Sequence, residues 1–310
     1  EVTILDEANL TFLPKSIKNP VEVENERIAH IKDGVALTKF ICWLKKNVGK
    51  IPITELSAGE KLYSFRAQQE NFIDNSFDPI ISYGIHAAIN HYSATSETDI
   101  AIEPGNFLLA DTGGHYYEGT TDTTRTIVMG SVNDEQKKYF TAVLRGMLNL
   151  GNAKFRYGCT GVNLDYLARG PLWEMGQDFN HGTGHGVGYL LNVHEGPNSF
   201  RWRIIQGDNA VLEEGMITSD EPGYYVENQY GIRHENLLVC KKAEKTTFGQ
   251  FMCFEHLTMV PFDLDAVVPE LMTVQERALL NNYHTQVCKK ISPYLEEEEK
   301  EWLKEATREI

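Results

Sequence analysis

Between residues 25 and 47, Ile28, Ile31, Val35, Thr38 and Cys42 fall on one stripe that Leu37, Ile41 and Leu44 widen, a spacing that predicts a helix. A second helix is expected from Thr54, an N-cap after Pro52, through Leu56, Leu62 and Phe65 to about Glu70. The pattern then turns to β. Asp78–Gly84 and Ile89–Tyr92 read as strands, and Phe107–Asp111 and Thr123–Met129 as a strand pair flanking Gly113, Gly114 and Gly119.

The same order follows again. Helices are predicted at 134–150, with Val143, Met147 and Leu150 apolar, and at 161–176, with Leu164, Leu167, Leu172 and Trp173. Runs at 210–212 and 216–218 precede a strand pair that bears Glu221 and Glu235 and closes with Asn236–Cys240. Two helices, a histidine-bearing segment and a ribbon with two carboxylates thus occur twice, as a repeat of pattern and not of residues. The implied architecture is α+β, with two pseudo-symmetric αβ halves whose ribbons meet. In the tail, Thr273-x-x-Glu276 reads as a capping box before Val274, Ala278, Val287 and Ile291, and Leu295, Trp302, Leu303 and Ala306 form a last stripe. The run Glu296–Glu299 reads as a solvated face.

Residues 181–195 fit neither period. His181, His185 and His194 are interleaved there with Gly182, Gly184, Gly186 and Gly188. Each glycine costs a helix about 1 kcal/mol relative to alanine, so the two histidines four apart do not form a helical zinc site. A zincin needs Glu after its first His, where Gly182 stands, and the glycines miss the dinucleotide-binding register. What remains is an extended, glycine-lined segment from which imidazoles project.

Composition narrows the function. A formal net charge of -15 argues against nucleic-acid or anionic-membrane partners. Five cysteines, odd in number and without a C-x-x-C pair, are the usage of a reduced, cytosolic protein. No apolar run approaches the roughly 18 residues of a membrane helix. The chain opens without Met or a basic leader region, and reads as part of a longer protein with something upstream.

Asp111 and Asp122 are poor strand residues on opposite arms of one ribbon, and Glu221 and Glu235 occupy the matching ribbon. If the halves meet, four carboxylates share one centre, and their mutual repulsion is relieved by metal. With His185 they make four hard oxygen donors and one nitrogen, a set suited to Mn²⁺ or a similar ion more than to structural zinc. Bridging carboxylates can hold two ions about 3.5–4 Å apart.

The strings Asp111-Thr-Gly-Gly, Thr120-Thr-Asp122-Thr-Thr-Arg125-Thr, His181-Gly-Thr-Gly-His185, Asn192-Val-His194-Glu-Gly-Pro197, Glu221-Pro-Gly-Tyr-Tyr225 and Gly231-Ile-Arg-His-Glu235-Asn resemble the catalytic domain of the aminopeptidase P family. These are "pita-bread" metallopeptidases, and the tail from Leu257 to Trp302 is similar to that of the cytosolic X-prolyl aminopeptidases. The resemblance implies two αβ halves around a curved antiparallel sheet, with residues 1–255 as the catalytic domain and 256–310 as a helical extension packed on it. It implies Asp111, Asp122, His185, Glu221 and Glu235 as ligands of two divalent ions, Mn²⁺ with Zn²⁺ or Co²⁺ as alternatives, and a homodimer in the cytoplasm. The expected reaction is cleavage of Xaa-Pro peptides by a metal-bridging hydroxide, with Glu221 relaying a proton and His194 binding the oxyanion. His181 and His91 are alternatives for that last role and line the substrate site, Arg233 supports a ligand carboxylate, and Tyr225 contacts substrate. Three positions depart from the usual pattern: Thr112 stands where Ser is frequent, and His115 and His234 replace Gln and Ile and read as structural. Prolidase, which uses the same cluster on dipeptides, is the alternative reading. A non-catalytic binding module is disfavoured by the intact ligand set and the acidic charge.

Overall fold

The first long helix, α1, runs Pro20–Asn47 in the computed structural model, which describes residues 9–190 and 192–310. Residues 1–8, and Leu191 in the histidine segment, lie outside the described residues. α1 begins ahead of its apolar stripe because Asn19 caps it: Glu22 N–H donates to the Asn19 side chain, the Glu22 carboxylate accepts from Asn19 N–H, and Pro20 presets the first φ. Its middle is buried on every side, from Asp33 through Thr38, while Ile28 on the predicted stripe is exposed. The second helix, α2 (Glu55–Arg66), starts at Thr54 through a reciprocal cap with Ser57. It stops short of Glu70, where Asn71 takes a left-handed φ of 64°.

Three antiparallel strands follow, β1 (Ile80–Tyr83), β2 (Asn106–Thr112) and β3 (Thr123–Met129), with β2 central. The strand predicted at Ile89–Tyr92 does not form. A 3-10 turn at Gly84–Ala88 takes the chain away from β1, and Tyr92 stacks back on His86 at 4.1 Å.

In the second half, α3 (Asp134–Gly151) is capped by Asn133 and Gln136. α4 spans only Tyr166–Trp173, shorter than its periodicity suggests, because Thr160 and Asn163 close a separate 3-10 turn before it and Pro171 breaks its hydrogen-bond ladder. Then come β4 (Ile217–Asp220), the hairpin β5 (Gly223–Val226) and β6 (Tyr230–Arg233), and the long β7 (Asn236–Thr246) and β8 (Gly249–His256). β4, β7, β8 and Lys154–Arg156 form one antiparallel sheet in that order. The run at 210–212 contributes a single bridge, Val211 to Thr160.

The two halves are joined at β3. Glu235 N–H donates to Thr124 O at 3.1 Å, and the Thr126 hydroxyl accepts from Arg233 N–H at 3.0 Å while donating to Arg233 O at 2.9 Å. Buried Arg125 extends the seam, donating to Glu235 O at 2.6 Å and Asn236 Oδ1 at 2.7 Å on one side and to Val260 O at 2.9 Å and the Tyr283 hydroxyl at 3.0 Å on the other. Phe262 lies 4.0 Å beneath its guanidinium.

Residues 256–310 share one core with the preceding elements, in which Phe107, Phe140 and Leu144 pack with Tyr283, Val287 and Leu303. Gly34 permits this closeness, since a Cβ there would lie 2.5 Å from Met259 O. α5 (Val274–Ile291) carries both bonds of the predicted Thr273/Glu276 cap, and α6 (Glu297–Ala306) follows. Val274 and Ala278 face outward instead of inward, and Leu280, Tyr283, Val287 and Ile291 make the buried stripe. Among the described residues no helix is long and apolar enough to cross a membrane, and the five cysteines are free.

Arg66, fully buried, donates to Asp33 at 2.7 Å and to the Thr112 hydroxyl at 2.9 Å, so α1 and α2 brace the strand end that carries Asp111. Asp33→Ala strands that guanidinium and is expected to cost about 3–5 kcal/mol, measured by urea unfolding. A loss within the scatter of surface substitutions would show that the brace is dispensable.

Candidate metal centre

The carboxylates occupy strand ends where the two sheets meet. Asp111 lies on β2 opposite Ile80 and Thr124, and Asp122 directly precedes β3. Glu221 directly follows β4, and Glu235 directly precedes β7. His185 enters on a short strand, Gly184–His185, paired with Ser199–Phe200, while Gly186 bridges to Thr218 of β4. The fold thus brings together all five residues expected from sequence.

Their atoms converge. Asp122, His185 and Glu235 each offer a ligand atom within 4.8 Å of the others, and His185 Nε2 lies 3.4 Å from Asp122 Oδ2 and 3.5 Å from Glu221 Oε1. His185 Nδ1 donates to Gly186 O at 2.9 Å, which turns Nε2 toward the carboxylates, the arrangement of a metal-binding imidazole. Ser219 accepts from His185 N–H at 2.9 Å and donates to Glu221 Oε1 at 3.1 Å. Thr124 donates to Glu235 Oε2 at 2.7 Å, and Arg233 binds Asp111 Oδ2. Asp111 Oδ1 is buried with no hydrogen-bond partner among the described residues. Hard oxygens, one imidazole and an orphaned carboxylate oxygen fit divalent cations.

Electrostatics point the same way. Desolvation pushes Glu221 up to about 7 against the pull of His185 and Arg233. Desolvation, with Asp122, Glu221 and Asp111 nearby, raises Glu235 well above the carboxylate range, and burial raises Asp122. Burial opposes a charge on His185, but Asp122 and Glu221 outweigh it and bring its pKa to about 9.

Around this cluster is a cavity of about 250 Å³ whose wall includes His91, His181 and His194. His91 sits on the turn after the 3-10 segment, and the His194 ring meets that of His185 edge-on at 4.2 Å. Burial and the His185 charge lower His194 to about 4; burial and Arg233 lower His181 to about 3. Both nitrogens of His181 are engaged: Nδ1 donates to Gly182 O at 2.7 Å, and Nε2 accepts from the Tyr225 hydroxyl at 2.9 Å. That hydroxyl in turn accepts from Arg233 at 2.7 Å. Tyr225, expected at the substrate, therefore sits behind His181, as a link to Arg233 and Asp111, and is absent from the described cavity wall. His115 bonds Thr120, and His234, in the link between β6 and β7, packs against Phe140 at 4.3 Å; neither is part of the cavity wall.

Sequence reasoning missed Thr124, Ser219 and Arg201. Thr124 and Ser219 each stand two residues from a carboxylate, Asp122 and Glu221, in segments rich in Thr or Ser, which is their signal in the sequence. Arg201 lines the cavity from an irregular loop that no periodicity marks.

Two αβ halves closed on a carboxylate-and-imidazole centre define the pita-bread class of metallopeptidase folds. Residues 24–242 match the model of Metallopeptidase family M24 and residues 250–310 that of the C-terminal region of peptidase M24, and the chain belongs to this family. It is 43% identical over 303 residues to a probable Xaa-Pro aminopeptidase P of Paracoccidioides brasiliensis, covering 96% of this chain and 49% of that protein. A counterpart from Arthroderma otae is 44% identical, with 96% and 48% covered. Among solved structures, the X-prolyl aminopeptidase of Caenorhabditis elegans, described as a cytosolic enzyme with a di-nuclear active site, superposes with a TM-score of 0.92 at 37% identity over 97% of this chain and 50% of that one. The prolidase of Pyrococcus furiosus gives 0.64 at 28% identity over 80% and 67%. The chain spans about half the length of the curated relatives it matches.

Cations entering this centre must displace protons held by Glu221, Glu235 and His185, whose pKa values are raised. Protons win below those values, so Mn²⁺ affinity is expected to fall as pH drops below about 9, where His185 gains its proton, and more steeply below about 7, where Glu221 does, by about ten-fold per unit for each proton displaced. Calorimetry in buffers of different ionisation enthalpy reads the release; an affinity flat from about pH 8 to about pH 6 contradicts the assignment.

Proposed function

We propose that this chain is the catalytic part of an Xaa-Pro aminopeptidase, hydrolysing the bond between an N-terminal residue and a following proline. The observation that carries the reading is the convergence of Asp111, Asp122, His185, Glu221 and Glu235 on one cavity, with Asp111 Oδ1 unpartnered among the described residues, in a chain similar along 96% of its length to proteins of that name. We assign these five residues as the ligands of two divalent ions, Mn²⁺ by the hardness of the donors. Residues 1–255 form the catalytic domain in this reading and 256–310 an extension on it, in a cytoplasmic homodimer. The TM-score of 0.92 against 0.64 favours the aminopeptidase over prolidase.

When bound, the ions activate water and polarise the scissile carbonyl. The chain's own groups do the rest. Glu221, positioned by Ser219, takes a proton from the attacking water and passes it to the leaving proline nitrogen. His194, neutral because burial and His185 disfavour its charge, offers an N–H to the oxyanion that develops on the carbonyl carbon's oxygen. His91 faces the peptide from the other wall segment. His181 and Tyr225 hold Arg233 in place, and Arg233 fixes the orientation of Asp111. Thr124 fixes Glu235.

Glu221→Gln is expected to lower kcat by about 10²–10⁴, and His194→Ala by about 10²–10³ with KM little changed. Full turnover in either variant removes the role given to it. The activity itself is tested by offering the Mn²⁺-loaded chain an Xaa-Pro dipeptide and an Xaa-Pro-Yaa tripeptide together, with products followed by mass spectrometry. Release of the first residue from the tripeptide is expected. Cleavage of the dipeptide alone makes the chain a prolidase, and cleavage of neither overturns the reading for this chain by itself.

A further inference from the structure

The cavity wall carries two guanidinium groups, and they differ in what holds them. Arg233 is fully engaged, donating to Asp111, Tyr225 and Thr124. Arg201 is held at one edge only. Its Nε is ion-paired with Asp208, and its Nη1 lies over the peptide of Gly182, where a Cβ would come within 2.4 Å. The glycine after His181 is therefore the seat of this side chain. Among the described residues neither terminal nitrogen of Arg201 has an acceptor, and the side chain is 30% exposed. The result is an anchored guanidinium with its fork open to the cavity.

Such a fork matches a carboxylate with two parallel hydrogen bonds. A cation is also what this cavity requires if a carboxylate is to enter at all. Four acidic side chains face it, and an incoming anion is repelled unless a positive group stands at its destination. At about 250 Å³ the cavity has room for a few residues only, so the end of a short peptide falls within it.

We propose that Arg201 is a specificity-determining residue that binds the terminal carboxylate of a short peptide, so that the chain favours free-acid Xaa-Pro-Yaa substrates over blocked ones. The inference rests on the peptidase reading above and adds the substrate class to it. Asp208 and Gly182 act through Arg201, as positioning residues.

The test is a ratio of KM values, amide over free acid, for one Xaa-Pro-Yaa sequence, measured on the Mn²⁺-loaded wild type, Arg201→Ala and Asp208→Asn. The wild-type ratio is expected to be about ten-fold or more, the range of a hydrogen bond to a charged group. Arg201→Ala brings it to about one, and Asp208→Asn, which removes only the anchor, places it between. Because each ratio is taken within one protein, a variant that folds or loads metal less completely alters both terms alike. A wild-type ratio of about one, or a ratio that survives Arg201→Ala, overturns the proposal and leaves the peptidase reading standing. A third peptide, the amide with Glu as Yaa, separates the two carboxylate sources: a KM restored to the free-acid level would mean that an acidic side chain, and not the chain end, is recognised. If the wild type cuts none of the three, the peptidase reading fails and this inference with it.

Discussion

Mutual repulsion among Asp111, Asp122, Glu221 and Glu235 is the constraint on which the rest of the structure depends. Water screens these groups poorly, because Asp122 and Glu235 are almost wholly buried and Asp111 nearly so. Desolvation favours the protonated forms of Asp122, Glu221 and Glu235, whose pKa values are raised. Divalent cations reverse it, replacing several protons by a few concentrated charges. The groups that touch the cluster act to keep its geometry ready. Arg233 fixes Asp111, Thr124 fixes Glu235, Ser219 fixes Glu221, and the Gly186 carbonyl sets the face of His185.

That geometry is expensive to maintain from one half of the molecule alone. Asp111 and Asp122 come from the first sheet, Glu221 and Glu235 from the second, and the seam at β3, with the Arg233–Asp111 pair, sets them at a fixed separation. Arg125 is central to the seam. Among the described residues it pairs with no carboxylate; its nitrogens donate to backbone carbonyls, an amide oxygen and the Tyr283 hydroxyl, linking Glu235 to the 256–310 segment. The C-terminal helix α5 thus bears on the proposed metal centre through Tyr283, which meets both Arg125 and Asn236 beside Glu235.

Much of this was legible in the chain. Asp111 and Asp122 on one ribbon, the glycine-lined histidine segment and the twofold order of elements are each unusual locally, and together they point to a shared polar centre. The long helices followed from apolar spacing, and Thr273/Glu276 from cap chemistry. What escaped was decided by contacts between distant segments. Ile89–Tyr92 alternates like a strand but has no partner to pair with once Gly84 turns the chain. Val274 and Ala278 have the right spacing on the wrong face, because helix phase is set by what lies beneath. Tyr225 is placed behind His181 by a hydrogen-bond relay that no linear motif encodes, and Arg201 stands in a loop where only the fold shows what it faces.

The central claim, that five residues from two half-sheets hold two ions, is tested most directly by anomalous diffraction from Mn²⁺-loaded crystals at the manganese edge. Two peaks about 3.5–4 Å apart, enclosed by Asp111, Asp122, His185, Glu221 and Glu235, are predicted. One peak, or peaks seated on other residues, would contradict the account.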